Sequence, residues 1–343
     1  MAFIETYFLT MNFLVIRLSS LGDVLLATSA FSALHELYPD AAIWFVTDEK
    51  YVGLFQDDVR LARVIGIKKT QKPYCIPELH TVAWDRIVDL QNNGRSAVLR
   101  KKLSAKNGVG VFEKKHWERV KLLLFRKDSY AERDHVIARY AAAAGVHGAE
   151  LFPATLTINK TVNADAYRSV AAMGMVRPMI ALFPFSAWKN KQWSANFYGF
   201  VAKYFVVKGW NVFIYGDESE AMEAEQLRAK IGDNCISVAG KLSLYECAGL
   251  IKQSKLALGN DSGLSHLARA CGVKTGIIYG STTKQFGFFP YKGPAFKVFE
   301  TPLFCRPCHA HGGNICFRGS HLCLKAIRPE NVIAGLLALY HGE

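Results

Sequence analysis

The chain has 343 residues, 50% of them hydrophobic and 21% charged, which is enough apolar material for two domains of ordinary size. Its 11 prolines and 27 glycines, with no internal repeat, exclude collagen-like, disordered and solenoid chains. Lys and Arg number 42 against 29 Asp and Glu, a formal charge of +13, which suits an anionic partner without choosing between nucleic acid, a membrane face and a phosphorylated substrate.

No apolar run approaches the roughly 18 residues of a membrane-spanning helix. The first residues also lack the basic-then-apolar order of a secretory signal. The expected location is the cytoplasm, where the eight cysteines stay reduced unless they bind metal or react.

The first predicted strand is Phe13-Leu14-Val15-Ile16, followed by a helix over 23–37 in which Leu25, Leu26, Ala30, Ala33, Leu34 and Leu37 recur at helical spacing, with Pro39 closing it. Strands over 42–46 and 86–90 come next, and the strand–helix alternation implies a parallel, doubly wound sheet. Between Arg95 and Lys127 eleven cations face only Glu113 and Glu118, interleaved with Val111, Phe112, Trp117, Val120 and the run 122–125. Such a segment either lies on an anionic membrane surface or is a helix with a solvated charged face and its apolar side in the core.

After residue 165 the pattern restarts. A helix over 165–173 precedes strands over 179–183, 211–215, 235–238, 256–258 and 275–279, and a closing helix over 329–340 opens on Pro329 and Glu330. The expected domains are 1–165 and 166–343, with the last helix free to pack back on the first.

Four loops follow strand ends, where ligands of open α/β sheets bind. The first, Arg17-Leu18-Ser19-Ser20-Leu21-Gly22-Asp23, carries a carboxylate at a helix start, suited either to removing a proton from a hydroxyl or to capping the helix. In the second, Gly259-Asn260-Asp261-Ser262-Gly263-Leu264-Ser265-His266, the helix-start N–H groups can cradle phosphate and His266 can donate to a leaving phosphate, while a capped helix with a half-buried histidine is the plainer alternative. The third, running from Phe183 to Ser194, brings Lys189 and Lys191 to offer the charge that a diphosphate needs. The fourth, Gly216-Asp217-Glu218-Ser219-Glu220, supplies carboxylates for ribose hydroxyls. No G-x-G-x-x-G follows the first strand and no P-loop occurs anywhere, which disfavours nicotinamide dehydrogenases and P-loop nucleotidases.

Taken together, Ser19-Ser20-x-Gly22-Asp23, Asp89-Leu90-Gln91 with Arg95-Ser96, Lys191-x-Trp193, Asp261-Ser262-Gly263-x-x-His266 and Tyr279-Gly280-Ser281-Thr282 make the sequence resemble the bacterial heptosyltransferases, glycosyltransferase family nine, over nearly the whole chain from Met11. The resemblance implies an α/β GT-B architecture: two Rossmann-like doubly wound parallel-sheet domains, the first for acceptor and the second for nucleotide sugar, facing a central cleft. It implies inverting transfer of heptose from ADP-heptose to a hydroxyl of the lipopolysaccharide inner core without a catalytic cofactor. Asp23 becomes the base, and Arg17, Ser19, Ser20 and Gly22 lie on the acceptor side. Ser186, Lys191, Glu220, Asp261, Ser262, Gly263 and His266 bind the donor. The acceptor would be an anionic, phosphorylated glycolipid, so peripheral contact with the anionic inner-membrane face is expected and nucleic acid is not. Residues 1–10 precede the family's usual start, so either Met1 or Met11 begins the natural chain, and Arg17 stands where many relatives have lysine.

Cys305, Cys308, Cys316 and Cys323, with His309, His311 and His321 nearby, are candidates for a structural zinc, against reduced thiols or a disulfide. Cys75, Cys235, Cys247 and Cys271 read as small apolar residues. Two rival readings are a different nucleotide sugar on the same scaffold and a nucleic-acid-binding protein that uses the basic 95–127 segment.

Overall fold

The computed structural model describes residues 10–70, 76–127, 135–147, 150–159, 177–289 and 291–342. Their contacts divide them into two compact units, one from 1–114 with 137–152 and the other from 115–136 with 153–343. The expected boundary at 165/166 and the helix expected over 165–173 fall in 160–176, outside the described residues. The segment 115–127, expected in the first domain, packs with the second unit.

The first unit is built on β1 (Asn12–Ile16), α1 (Leu21–Leu26), α2 (Thr28–Leu37), β2 (Ala42–Asp48), β3 (Arg63–Ile67), β4 (Arg86–Asp89), α3 (Gly94–Arg100) and β5 (Val109–Val111). Its five strands are parallel in the order β3-β2-β1-β4-β5. The central strands are buried along almost their whole length because helices cover both faces of a parallel sheet, and this is why they read as unbroken apolar runs. Leu14, Ile16, Val46, Ile67, Ile87 and Leu99 meet in one core.

The single helix expected over 23–37 is broken at Ala27. The Thr28 hydroxyl donates to Leu25 O (2.7 Å) and the Ser29 hydroxyl to Leu26 O (2.8 Å), and such back-bonding competes with the helical ladder.

Next in the chain come α4 (His116–Phe125), in the second unit, and α5 (Val136–Ala144), nearly all of it in the first. The second unit continues with β6 (Met179–Phe183), α6 (Ala195–Val207), β7 (Asn211–Ile214), α7 (Ala221–Ile231), β8 (Cys235–Ser237), α8 (Leu244–Ile251), β9 (Leu256–Asn260), α9 (Gly263–Ala270), β10 (Lys274–Tyr279), β11 (Phe296–Glu300), α10 (Leu322–Lys325) and α11 (Pro329–His341). Its six strands are parallel in the order β11-β10-β9-β6-β7-β8. Every side chain of β6 is buried, and Trp193, wholly buried, donates its indole N–H to Ile327 O at 3.1 Å.

Pro329 starts α11 and Gly342, in the left-handed region at φ 84°, ends it. This helix packs on α6, β10 and β11 of its own unit. A Cβ on Gly276 of β10 would come within 2.9 Å of Leu336, so the approach of helix to sheet depends on that glycine.

Both sheets reverse their strand order once. In the first, β1–β2–β3 run one way and β4 returns to the other side of β1. In the second, β6–β7–β8 run one way and β9 returns beside β6. Each reversal opens a crevice at the carboxyl ends of two neighbouring strands, where open sheets hold ligands.

Candidate active site

At the first reversal, the chain leaves β1 through Arg17–Ser20 and enters α1. Asp23 is the third residue of that helix, so its carboxylate reaches back to the start: Oδ2 accepts from the Ser20 backbone N–H (3.2 Å) and the Ser20 hydroxyl (2.9 Å). The same oxygen pairs with Arg17 Nη2 at 2.8 Å. Among the described residues Oδ1 makes no hydrogen bond or ion pair, and the Asp23 side chain remains 18% exposed.

Arg17 is buried, and its other terminal nitrogen donates to Leu90 O at the end of β4. Burial opposes its charge, but Asp23 first, then Tyr140 and Asp89, hold its pKa above the ordinary value. Tyr140, from α5, lies with its ring centroid 5.8 Å from the guanidinium. Its hydroxyl is buried without a hydrogen-bond partner among the described residues, and burial raises its pKa. Ser19 is half-buried, Ser20 exposed and Gly22 buried.

The loop is held from β4. Gln91 Oε1 accepts the backbone N–H groups of Leu18 (2.9 Å) and Ser19 (3.0 Å). Gln91 sits in a turn organised by fully buried Asp89, which accepts from the N–H groups of Gln91 (3.0 Å) and Asn92 (2.7 Å), the Ser96 hydroxyl (2.9 Å) and Arg100. The Asp89-x-Gln91 and Ser96 positions are therefore scaffolding for the Arg17–Asp23 loop.

At the second reversal, Lys191 lies beyond β6 and Asp261 directly follows β9. Lys191 Nζ and Asp261 Oδ2 are 2.7 Å apart, with side chains 11% and 13% exposed. The Thr282 hydroxyl, beyond β10, donates to the same oxygen at 2.8 Å. Burial alone would raise the Asp261 pKa, but Lys191, His266 and Thr282 together hold it below its ordinary value. The lysine expected to await phosphate is thus already paired with a carboxylate.

Ser262 precedes α9 with extended backbone. No side chain caps the first turn, and the Ser262 hydroxyl is buried without a hydrogen-bond partner among the described residues. Gly263 opens the helix and His266, half-buried, donates its backbone N–H to Ser262 O at 3.4 Å. Ser186, half-buried, accepts from the Trp188 N–H at 3.4 Å.

Glu220 follows β7, after the Gly216-Asp217 turn. It closes a reciprocal cap with Asp217, whose N–H donates to Glu220 Oε2 at 2.8 Å while the Glu220 N–H donates back at 3.2 Å. Burial raises its pKa. It borders the β6 loop through Gly216, where a Cβ would come within 2.9 Å of both Glu220 Oε2 and the Phe185 ring.

Side chains that carry no motif of their own hold these loops in place. Asn260, fully buried, accepts from the Trp193 N–H (3.0 Å) and donates to Pro184 O (3.0 Å). Asn190 Oδ1 accepts from the Ser281 hydroxyl (2.8 Å) and the Gly313 N–H (2.7 Å). Arg306 donates to Gly280 O, Thr301 O and Thr282 O. Gly312, at φ +110°, lies against Trp188 and the stem of Lys191, where a Cβ would fall 2.7 Å from each.

The loop bearing Cys305, Cys308 and Cys316, which leads into α10 with Cys323, therefore abuts the Lys191 turn. The seven described cysteines are free thiols, and among the described residues no group of three or more His, Cys, Asp or Glu is arranged to hold a metal ion, so the zinc expectation finds no site there. Cys75 lies outside the described residues.

Residues 75–311 match glycosyltransferase family 9 (heptosyltransferase). The chain belongs to this family. This glycosyltransferase is 24% identical over 288 residues to the lipopolysaccharide core heptosyltransferase OpsX of Haemophilus influenzae, covering 82% of this chain and 79% of the relative. Its fold matches the family 9 glycosyl transferase of Veillonella parvula with a TM-score of 0.79 at 22% identity, over 97% of this chain and 98% of that one. It matches the E. coli ADP-heptose LPS heptosyltransferase II with a TM-score of 0.75 at 21% identity, over 97% and 99%. Two parallel-sheet α/β domains of the GT-B class are the fold that these glycosyltransferases share with it.

Proposed function

We propose that this glycosyltransferase moves heptose from ADP-heptose to a hydroxyl of the lipopolysaccharide inner core, with inversion. The relatives named above support heptose, ADP and lipopolysaccharide as the substrate class. The observation that carries the mechanism is Asp23, whose Oδ2 is held by Ser20 and Arg17 while Oδ1 faces no described partner.

On this reading Oδ1 takes the acceptor hydroxyl proton as that oxygen attacks the anomeric carbon. The bond to the diphosphate breaks on the opposite side and ADP leaves with the electron pair. Arg17 and Ser20 fix the carboxylate so that no reorientation is needed during reaction. The second unit supports the donor: Lys191, the unpartnered Ser262 hydroxyl and the uncapped first turn of α9 from Gly263 suit phosphate oxygens. His266 and Ser186 serve the same group, Asp261 sets the position of Lys191, and Glu220 takes the ribose hydroxyls. The acceptor is a phosphorylated glycolipid, reached from the cytoplasmic side.

Asp23→Asn keeps the shape and removes the base. It should lower transfer of heptose to a deheptosylated core acceptor by roughly 10²–10⁴-fold, the usual worth of a general base, with donor affinity changed by no more than a few-fold. Wild-type turnover in that variant would remove Asp23 from the reaction. Thermal-shift comparison of ADP, UDP and GDP tests the nucleotide, with ADP expected to stabilise most.

A further inference from the structure

We infer that the second unit docks on an anionic phospholipid surface through a face made of α4 and the loop between β11 and α10. An amphipathic helix ordinarily turns its apolar stripe toward the core. In α4 only Leu122 is fully buried, while Trp117, Leu124 and Phe125, which share one face with Lys121, stand out into solvent. Phe304, Ile315 and Phe317 of the loop do the same, and all six apolar side chains are between 67% and 78% exposed.

The two parts are joined. Arg126 Nε donates to Phe304 O at 3.1 Å and its Nη2 to Cys305 O at 3.4 Å. Arg119 Nη1 lies 3.2 Å from His311 Nε2, and the Arg318 guanidinium lies 4.6 Å from the centre of the Phe304 ring. Lys121, Arg126, Lys127 and Arg318 thus flank protruding aromatic and aliphatic groups, and Glu118 is the only acid in the helix.

That combination selects the occupant. Cations alone would suit any polyanion, but Leu124 and Ile315 cannot stack on bases, and six protruding apolar groups fit the boundary between headgroups and acyl chains. Each cation held near an anionic bilayer strengthens binding roughly fivefold. The inference is independent of the transfer reaction proposed above, because none of these residues lies in the Arg17–Asp23 or Lys191–Asp261 clusters.

The test is flotation of the full chain with vesicles of phosphatidylcholine alone and of phosphatidylcholine mixed with phosphatidylglycerol. Binding is expected only to the mixed vesicles. It should fall by at least about tenfold in F125S/F304S/F317S and in K121E/R318E, with melting temperature, ADP binding and transfer to a soluble acceptor lacking lipid tails unchanged. Equal binding by wild type and both variants, or no binding by wild type, would overturn the inference. So would loss of soluble-acceptor transfer in the variants, which would assign these residues to the reaction. Single-stranded oligonucleotide binding that the variants lose, in place of vesicle binding, would assign the face to nucleic acid.

Discussion

At the residue scale, the second crevice is organised by a carboxylate with more partners than a surface group would gather. Asp261 holds Lys191 and Thr282 on one oxygen in a nearly solvent-free setting, and its pKa is depressed. Removing one partner of a buried pair leaves the other charge stranded, so Asp261→Asn should destabilise the protein by about 3 kcal/mol in denaturant unfolding at neutral pH. The pH dependence follows from the direction of the shift. A carboxyl whose folded pKa is below its unfolded one contributes stability that is full above the ordinary aspartate range and is lost as the pH falls toward the lowered value. Wild type should therefore lose more stability than Asp261→Asn on acidification through that range. Equal losses would mean that the Lys191 pair does not account for the shift. The candidate residues could be picked out where a strand end met a loop with an acid, a glycine or a lysine, as at Asp23, Lys191 and Asp261, and the structure pairs Lys191 with Asp261 and Asp23 with Arg17. Gln91 stood out only as part of a family motif, without a role, and Arg306 not at all, because what gives them meaning is a hydrogen bond to a backbone that lies far away in sequence or in a loop without regular structure.

At the element scale, what the sequence disclosed depended on how deeply a strand is buried. The runs over 13–16, 179–183 and 256–258 were plain because central parallel strands are apolar on both faces. The three strands not foreseen each have a reason. β3 and β11 are edge strands with exposed Arg63, Gly66 and Phe296, and β5 has only three residues, Val109, Gly110 and Val111. The break between α1 and α2 was written in the Thr28-Ser29 pair, which is unremarkable in a helix until both hydroxyls are seen to bond backwards. β5 also makes a close approach that leaves no room for a side chain, since a Cβ on Gly110 would lie 1.7 Å from Ala143 O in α5. Gly110→Ala must push α5 away. It should cost about 3 kcal/mol and lower the melting temperature by roughly 6–12 °C. A melting temperature within a degree or two of wild type would show that the α5 end yields freely.

At the scale of the whole molecule, the same device occurs twice: a parallel sheet whose strand order turns back once, with the candidate residues Asp23 and Lys191–Asp261 in loops at the turning point. The two units then hold different chemistry, an acid and its arginine in the first and a lysine paired with an aspartate in the second. Their contributions should separate by ligand linkage, because a ligand that binds only the folded state stabilises it by mass action. At a hundredfold excess over its Kd, ADP should add about 2.7 kcal/mol to the stability of wild type and of Asp23→Asn alike. Lys191→Ala should need a much higher ADP concentration for the same gain in a thermal-shift titration. If Lys191→Ala responds as wild type does, the donor is not held at the second turning point.

The contact of Gly312 with the Lys191 stem also has a practical use. Cys316 lies four residues further along the same loop, and although burial opposes ionisation, backbone N–H groups from His321, Arg318, Gly319 and Ser320 keep its thiol below the ordinary value. Cys235, Cys247 and Cys271 are raised to about 12 by burial and Cys308 to about 11, so a thiol reagent at mild pH should modify Cys316 well ahead of them. An environment-sensitive fluorophore attached there would lie in the loop between Gly312, which touches the lysine stem, and exposed Phe317, and its emission would be expected to respond to occupancy of the one and immersion of the other in a single cuvette.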